Sequence, residues 1–477
     1  MSSFSGLSTA LSALTAQRQV LEVAGQNIAN ANTVGYTRQR ANLNAVGGTA
    51  VPSLFSNPVG AGSGVRLDSV QRLNDAFLET RVRTQTATAS YLGVRAEAYN
   101  RLEVSLGEPK ETGLAANLDD LWGAWQDVAN TPDETSSRQV LIEQSKTVAS
   151  QLHTLYDNVQ VQWTQAYTAT SAMVEDVNTT AKNIADLNGR IQSVENAGGN
   201  ANELVDQRDL LVTHLSNLTG ATMRKNDNGS VDVMVSGNLL VSGSRSQSLA
   251  LVGASKFAEA TGDATTPGLG LDVVWADNPS VSASLSGGRI AGNLTVLAPP
   301  NSTGTGGILT EAAARIDTVA TTLAQKVNAL HGTAVDLDGN PGEPFFTFTP
   351  GVSPAAGIQV AISDPRKVAT ADPTKGALDG SVADQIGKIG DDKSGPGALW
   401  SAAVVEIGVR TASEGQRATV AESTRRSAEQ LHLAATSVDI DSENVDMLAA
   451  QRAYQGASRV ITVLDELLDT LINRTAI

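Results

Sequence analysis

Apolar residues near the start of the chain recur with the spacing of one helix face. The members of this stripe are separated by three, four or seven positions and are Leu7, Leu11, Leu14, Leu21 and Ile28. On an α-helix they form one narrow stripe, which predicts an amphipathic helix over residues 4–30. A narrow apolar stripe among small residues is typical of a helix that packs against another helix.

The other end of the chain carries a second stripe. Its members follow spacings of 4, 3, 4, 3 and 4 and are Ala449, Ala453, Gly456, Val460, Val463 and Leu467. Residues 1–40 carry a net charge of +2, from three arginines and one glutamate, and residues 437–477 carry −4, from three arginines and seven acids. Because heptad spacing and opposite charge both favour pairing, we expect the two ends to pair as a coiled coil. Two unrelated amphipathic helices on one core are the alternative.

The segment after the first predicted helix combines helix-ending residues with an aromatic residue. Asn30, Asn32 and Gly35 favour the end of a helix, and Gly35 can adopt a positive φ angle without a steric penalty. We expect Tyr36 to pack where the end helices join the rest of the chain. We expect Arg38 to contact acidic residues of a neighbouring molecule. These residues form the candidate joint.

Long helical patterns occupy much of the middle of the chain. Residues 41–67 are rich in Gly, Ser, Pro and Asn and predict an extended connector, and helical spacing resumes over residues 70–106. Thr131 and Pro132 predict the start of a helix that continues without another proline to about residue 197. Ser442 is expected to cap the last helix.

In one region the apolar positions recur with a different spacing. Residues 221–285 alternate apolar and polar positions around an Asn-Gly turn, which predicts a small β-rich unit. The predicted fold class is therefore mainly α with a β-rich insert, built from nested discontinuous domains around a central long-helix bundle. We expect three domains. They are a terminal coiled-coil domain (1–40 with 438–477), a helical domain (41–220 with 286–437) and a β-rich outer domain (221–285).

Composition narrows the class of protein. Of 477 residues, 41% are hydrophobic but only 4% are aromatic, which suits long helices and thin β layers better than a deep enzyme pocket. The net charge of −16 argues against nucleic-acid binding, which needs clustered Lys and Arg. Without cysteine, disulfides and thiolate chemistry are excluded. No stretch approaches the roughly 20 apolar residues of a membrane span. The first residues lack the pattern of a cleavable secretory signal, so we expect a cytoplasmic protein or one exported without such a signal.

Candidate catalytic and metal-binding residues are few. The four histidines lie too far apart in sequence for a zinc site and are His153, His214, His331 and His432. The segment 336–340 resembles the start of a calcium loop but lacks the required Gly and Glu further on, which favours a tight turn. Asp206 and Asp209 flank Arg208 on a predicted helix, which favours local ion pairing over acid–base catalysis. We expect no catalytic site, no metal and no cofactor.

Several motifs resemble those of one family. The segment Asn27-Ile-Ala-Asn-Ala-Asn-Thr-Val-Gly-Tyr-Thr-Arg-Gln39 resembles the N-terminal motif of the rod, hook and hook-associated axial proteins of the bacterial flagellum. Val34 stands where many of those relatives have proline. Further matches narrow the resemblance to the hook-associated protein 1 family. These matches lie at Gly64–Val65 with Arg72, Asp75, Phe77 and Leu78, at 204–210, at 286–292, at 327–331 with 342–346, and at 437–441 with 451–455.

The resemblance implies a structural, non-enzymatic role at the junction of hook and filament. It implies that the end helices line the inner tube of the axial structure and that the β unit faces outward. The implied partners are further copies of the chain in a ring, hook protein, the second hook-associated protein and a flagellar export chaperone. It also implies secretion by the flagellar type III apparatus. A hook or distal-rod subunit and a secreted coiled-coil adhesin are the alternatives.

Overall fold

Long helices account for most of the described chain. The computed structural model describes residues 3–47, 62–262 and 266–470, so parts of the predicted terminal ranges (1–2 and 471–477) and of the connector (48–61) lie outside it. The helices are α1 (Ser3–Asn30), α2 (Ala76–Leu106), α3 (Leu114–Asn130), α4 (Thr135–Asn196), α5 (Asn202–Thr219), α6 (Phe257–Thr261), α7 (Gly288–Leu297), α8 (Ile308–His331), α9 (Pro354–Gly357), α10 (Ser381–Gly387), α11 (Pro396–Thr436) and α12 (Ile440–Asp469).

The strands are short and pair antiparallel. They are β1 (Gln39–Ala45), β2 (Val65–Arg72), β3 (Thr222–Lys225), β4 (Val231–Val235), β5 (Asn238–Ser242), β6 (Arg245–Ser246), β7 (Leu249–Gly253), β8 (Leu271–Trp275), β9 (Asn278–Ser282), β10 (Phe346–Phe348) and β11 (Ile358–Val360). Seven of them lie within residues 222–282, and the Asn-Gly turn joins β3 to β4 with Gly229 at φ +76°. The predicted fold class, mainly α with a small β-rich part, is confirmed.

A β-hairpin replaces part of the predicted connector and the first turn of the predicted helix. β1 and β2 pair with each other, so α2 begins only at Ala76. The Asp75 side chain accepts hydrogen bonds from the amides of Phe77 and Leu78 and caps α2. The prediction of helix from residue 70 was wrong because a few apolar positions fit a helical period and a strand period equally well.

Two helix starts also differ from the prediction. α4 begins at Thr135, and the Thr131 hydroxyl donates to a carbonyl at the end of α3 instead of capping α4. α12 begins at Ile440, and Asp439 rather than Ser442 accepts from the amides of its first turn. Each start offers several short polar side chains that can bond to nearby amides, so composition alone did not select the cap.

Two hydrophobic cores lie along the two halves of α4. The first joins α2, α3, the first half of α4, α8 and the segment 345–389, with Trp125, Trp163 and Phe345 fully buried. It also includes Phe257 of α6, which lies within the β-rich range. The second joins the other half of α4 to α5, α7 and strands β4, β5, β7 and β8. The β-rich region therefore completes a core that helices share.

Asn188 should be a strong local determinant of stability, because it holds a strand to α4. Its buried Nδ2 donates to the carbonyls of Val231 and Gly243, each at 2.8 Å, and its Oδ1 accepts from the Val231 amide. Replacing Asn188 by Ala leaves these backbone groups without partners, so the free energy of unfolding should fall by about 2–4 kcal/mol. Urea denaturation measures this change, and Asn183→Ala, at an exposed position of the same helix, is the matched control. An equal effect of both changes would contradict the assignment.

The two ends of the described chain pack against each other. α1 and α12 run in opposite directions, with Gly6 beside Leu464 and Asn27 bonded to Glu443. The hairpin β1–β2 packs on α1, where the Val65 amide donates to the Ser12 hydroxyl. We call α1, α12 and this hairpin the terminal unit, and residues 76–436 the body. Neither hydrophobic core contains a described residue of the terminal unit.

Candidate assembly interface

The contact between α1 and α12 uses a stripe of α12 that lies one residue beyond the predicted one. The less exposed positions of α12 are spaced 4 and 3 apart and are Glu443, Met447, Ala450, Tyr454, Ala457, Ile461, Leu464 and Leu468. On α1, buried Ala10, Ala24 and Asn27 and half-buried Gly6 and Val20 have the matching spacing. Small residues on α1 thus face mixed polar and apolar residues on α12.

The predicted stripe of α12 faces outward in the single chain. Val460, Val463 and Leu467 are 49%, 54% and 53% exposed, and Ala449, Ala453 and Gly456 are exposed too. A Cβ at Gly456 would meet nothing within 4 Å outside its own helix. The prediction that this stripe forms the contact between the two end helices was therefore wrong. Two heptad stripes lie side by side on one helix, about 100° apart, and spacing alone does not select between them.

The predicted stripe of α1 lies at the edge of the pair. Leu7, Leu14, Leu21 and Ile28 are half-buried, and Leu11 is exposed. The larger apolar residues of both end helices are thus only partly covered by the chain itself. Their role as an interface between molecules stays a prediction, and exposed apolar stripes of this kind are typical of surfaces that bind another protein.

Asn27 connects three segments at the base of the terminal unit. Its Nδ2 donates to the Gln39 carbonyl at 2.8 Å and to Glu443 Oε2 at 3.1 Å. Its Oδ1 accepts from the Gln39 amide at 3.0 Å and from the Tyr36 hydroxyl at 2.9 Å. One buried side chain therefore ties α1 to β1, to α12 and to the turn. The sequence prediction missed Asn27, although a polar residue on the packed face of an amphipathic helix could have indicated it.

Arg38 fixes the turn to α12 of the same molecule. Its Nε donates to Glu443 Oε1 at 2.6 Å, and a terminal nitrogen lies 3.3 Å from Asp446 Oδ2. The Glu443 side chain is almost completely buried. Within the single chain the acidic partners of Arg38 are supplied by the other end of its own sequence. The predicted contact of Arg38 with acids of a neighbouring molecule stays a prediction.

Tyr36 lies among carboxylates at the joint. Its hydroxyl donates to Asn27, and partial burial, followed by the negative charges of Glu203, Asp206 and Glu443, raises the pKa of Tyr36 to about 12. The phenol therefore stays protonated at neutral pH and can donate this hydrogen bond.

The turn itself depends on one glycine. Gly35 adopts φ +81°, and a Cβ there would lie 2.4 Å from Leu210 Cδ1 of α5. Asn30 closes the end of α1 by donating to the Gln26 carbonyl and accepting from the Thr33 hydroxyl. Asn32 is exposed. Of the predicted joint residues, Gly35, Tyr36 and Arg38 therefore make the contacts that connect segments.

The start of α5 is the face of the body on which the terminal unit rests. Asp206 Oδ1 and Asp209 Oδ2 lie 2.7 and 3.0 Å from the same terminal nitrogen of Arg72, at the end of β2. The Thr37 amide donates to Asp206 Oδ2 at 3.2 Å, and Asn202 Nδ2 donates to Gln39 Oε1 at 2.9 Å. Burial raises the pKa of Asp206, and the positive charge of Arg72 opposes that rise.

The predicted local ion pairing on α5 is only a minor part of this arrangement. Arg208 Nη2 lies 3.7 Å from Asp209, whereas its Nη1 donates to the Gly229 carbonyl at 2.9 Å and to Asn188. Burial lowers the pKa of Arg208. The main partner of both aspartates is Arg72, more than 130 residues earlier in the chain. Helix spacing indicated neighbours on one helix and could not indicate this distant partner.

His331 and the Asp336 turn have structural roles. His331 is fully buried, accepts the Ala369 amide at Nε2 and bonds the Glu343 carbonyl through Nδ1. Burial lowers its pKa to about 4, so it is neutral at pH 7. Asp336 Oδ1 accepts from the amides of Asp338 and Asn340, which closes a tight turn.

The described residues contain neither a metal-binding cluster nor a membrane-spanning helix. Within residues 3–47, 62–262 and 266–470, no group of three or more His, Cys, Asp or Glu side chains is arranged to hold a metal ion. In the same ranges no helix has both the length and the apolar character needed to cross a membrane.

Both ends of the chain match families of flagellar proteins. Residues 7–37 match the family described as flagella basal body rod protein, and residues 429–474 match the C-terminal family of the flagellar basal body rod FlgEFG proteins. These ranges cover α1 and α12 with the adjoining turn and the end of α11. The terminal unit is thus of the class that rod-type flagellar proteins share.

The middle of the chain identifies the particular family. Residues 99–346 match the flagellar hook-associated protein FlgK helical domain. The chain is 30% identical to flagellar hook-associated protein 1 of Bacillus subtilis (strain 168), over 99% of this chain and 98% of that protein. It is also 30% identical to the protein of that name from Escherichia coli (strain K12), over 71% of this chain and 59% of that protein. The chain belongs to the flagellar hook-associated protein 1 family.

A solved structure has the same fold. It is the flagellar hook junction protein FlgK from Burkholderia pseudomallei, with a TM-score of 0.62 and 16% sequence identity, over 76% of this chain and 100% of that chain. At this identity the likeness concerns the fold alone.

Proposed function

We propose that this chain is a structural junction protein of the bacterial flagellum, which connects the hook to the filament. The observation that carries the proposal is the terminal pair, because small residues of α1 pack against α12 while apolar residues of both helices, such as Leu11, Val460 and Val463, stay exposed. Exposed apolar stripes of this length need a partner, and further copies of the same chain supply identical stripes. Membership of the hook-associated protein 1 family supports this role.

The partners follow from the position of a junction. Copies of the chain form a ring, hook protein lies on one side, and the second hook-associated protein lies on the other. A flagellar export chaperone holds the chain before secretion, and the flagellar type III apparatus exports it. We propose a mechanical role, in keeping with the structural flagellar proteins that the chain resembles.

The domain organisation that fits this role has three parts. Residues 1–40 with 438–477 form the inner part, residues 41–220 with 286–437 form the helical part, and residues 221–285 form the outer β-rich part. The absence of α1 and α12 from both cores supports the separation of the end helices from the helical part. Strands β1 and β2 pack on α1, so they belong with the inner part, past the predicted boundary at residue 40. The boundary between the helical part and the β-rich part does not separate two cores, because the strands complete a core with α4 and α5.

Electron microscopy of cells that lack the gene tests the junction role. Hooks without filaments, together with flagellin in the culture medium, are the expected result. Cells that lack hooks as well would indicate a rod or hook subunit. Cells with complete filaments and lost attachment to surfaces would indicate an adhesin. Either of these two results would overturn the proposal.

Val463→Asp should block assembly without unfolding the chain. Val463 is 54% exposed on α12, so a carboxylate there has little effect on the single molecule. In an apolar contact between molecules the same charge would be buried without a partner, which is strongly unfavourable. We expect secretion to continue and motility to be lost. Ser458→Asp, exposed on the side of the same helix opposite the predicted stripe, is the matched control and should swim. Normal motility of the Val463 variant would contradict the proposed interface.

A further inference from the structure

One side of α11 is exposed and mainly apolar in the single chain. Its members are spaced three or four residues apart and are Ala402, Val405, Val409, Ala412, Gln416 and Val420, which we call the α11 stripe. Val405 and Val409 are each 65% exposed and Val420 is 55% exposed, more than either valine of the predicted α12 stripe. At a rise of about 1.5 Å per residue, the α11 stripe covers about 27 Å of the helix.

The α11 stripe carries no charged residue. The charged residues between positions 401 and 420 lie on a different side of the helix, at spacings of four, four and three, and are Glu406, Arg410, Glu414 and Arg417. Each of them forms an ion pair within the chain, and their partners on other helices are Arg315 of α8 and Arg95 of α2. The charges of this part of α11 are therefore compensated inside the molecule.

The α11 stripe continues into an open groove between α11 and α2. Short side chains of both helices line this groove, among them Ala89, Gly93, Ser423 and Ser427. Ser423 and Ser427 follow Val420 at helical spacing. The charged residues that line the groove, Glu422 and Arg426, bond to each other. A Cβ at Gly93 would meet no described atom within 4 Å outside its own helix, so the groove has room for side chains of another molecule.

We propose that the α11 stripe is a contact surface for the body of a second copy of this chain. This inference rests on the proposed ring of copies and adds a second contact to that of the end helices. In a ring of identical copies, a neighbour that is held at its end helices also has its body beside this one. Only residues 437–439 separate α11 from α12, which carries the proposed contact of the end helices.

The charge of the chain favours a second copy as the occupant. The net charge is −16, so two copies repel each other when charged faces meet. Like charges placed opposite each other in an interface are strongly unfavourable. A neutral apolar face allows two acidic molecules to approach without this repulsion. A basic partner would gain no attraction at such a face and would bind better at acidic surfaces.

Photo-crosslinking in assembled flagella tests this contact. A benzophenone amino acid replaces Val409, and the irradiated flagella should yield a product that contains two copies of the chain, identified by its mass and its peptides. A product with hook protein or with the second hook-associated protein would overturn the inference, and so would the lack of any product. The same probe in place of Val463 reports on the end helices. A product of two copies at Val463 alone would leave the proposed ring intact and remove only the α11 contact.

Val409→Asp tests whether the surface must be neutral. Val409 is exposed in the single chain, so the variant should fold and be secreted, whereas a contact with a second copy would bury the carboxylate without a partner. We expect loss of attached filaments by electron microscopy, with the variant present in immunoblots of the culture medium. Val409→Thr, of similar shape and without charge, is the matched control and should keep its filaments. Normal filaments in the Asp variant, or equal loss in both variants, would overturn the inference.

Discussion

Arg138→Ala is expected to lower the free energy of unfolding by about 3–5 kcal/mol. Arg138 is completely buried at the start of α4, where Nε and Nη2 donate to the Pro132 carbonyl at 3.0 and 2.6 Å. Its other bonds are to the Val368 carbonyl and to the Thr370 hydroxyl. The truncation would leave these acceptors buried and unpaired and would also open a cavity. The effect should therefore exceed that of an ordinary surface arginine.

The measurement is urea denaturation followed by tryptophan fluorescence, because Trp125 lies in the same core. Arg190→Ala, exposed further along α4, is the control and should change the free energy of unfolding by less than about 0.5 kcal/mol. Burial lowers the pKa of Arg138 to about 10, so the guanidinium stays charged at neutral pH and its bonds persist there. An unfolding free energy equal to that of the control variant would show that water replaces the lost bonds.

The helices were predictable where apolar spacing continued over many turns. The prediction of a proline-free helix to about residue 197 agrees with α4, which ends at Asn196, and the predicted first helix agrees with α1. Short elements were less predictable, because one or two apolar positions satisfy several periods. The β1–β2 hairpin was missed for this reason, since its pairing joins residues on the two sides of a polar connector.

The ion pairs at the joint could not be predicted from the spacing of residues in the sequence. Sequence indicated that Gly35, Tyr36 and Arg38 form a turn, and the family resemblance included Arg72. It did not indicate that Arg38 pairs with Glu443, or that Arg72 pairs with Asp206 and Asp209. Such pairs depend on how three separate segments meet. The choice between two neighbouring stripes on α12 likewise depended on which residues fit against α1.

Gly35→Val should separate secretion from motility. Gly35 has φ +81°, a conformation that a β-branched residue adopts only at a cost of about 1–3 kcal/mol. The new Cβ would also overlap Leu210, 2.4 Å from its Cδ1 and 2.5 Å from its Cγ. Both effects push the turn away from α5, and with it Thr37 and the Asp206 contact. The terminal unit would then sit at a different angle on the body, although each part can remain folded.

Two further variants distinguish the effect of backbone strain from that of the overlap with Leu210. Gly35→Val combined with Leu210→Ala removes the overlap but keeps the backbone strain. Gly35→Asn keeps a side chain but tolerates positive φ, so it should be milder than Val. We expect the Val variant to be secreted, because export needs the unfolded chain, while filaments fail to stay attached. A motility assay paired with immunoblots of the culture medium measures both quantities. Loss of secretion together with motility would assign the turn to export instead. Swimming at the normal rate would mean that the joint angle is set by other contacts, such as those of Arg72 with α5.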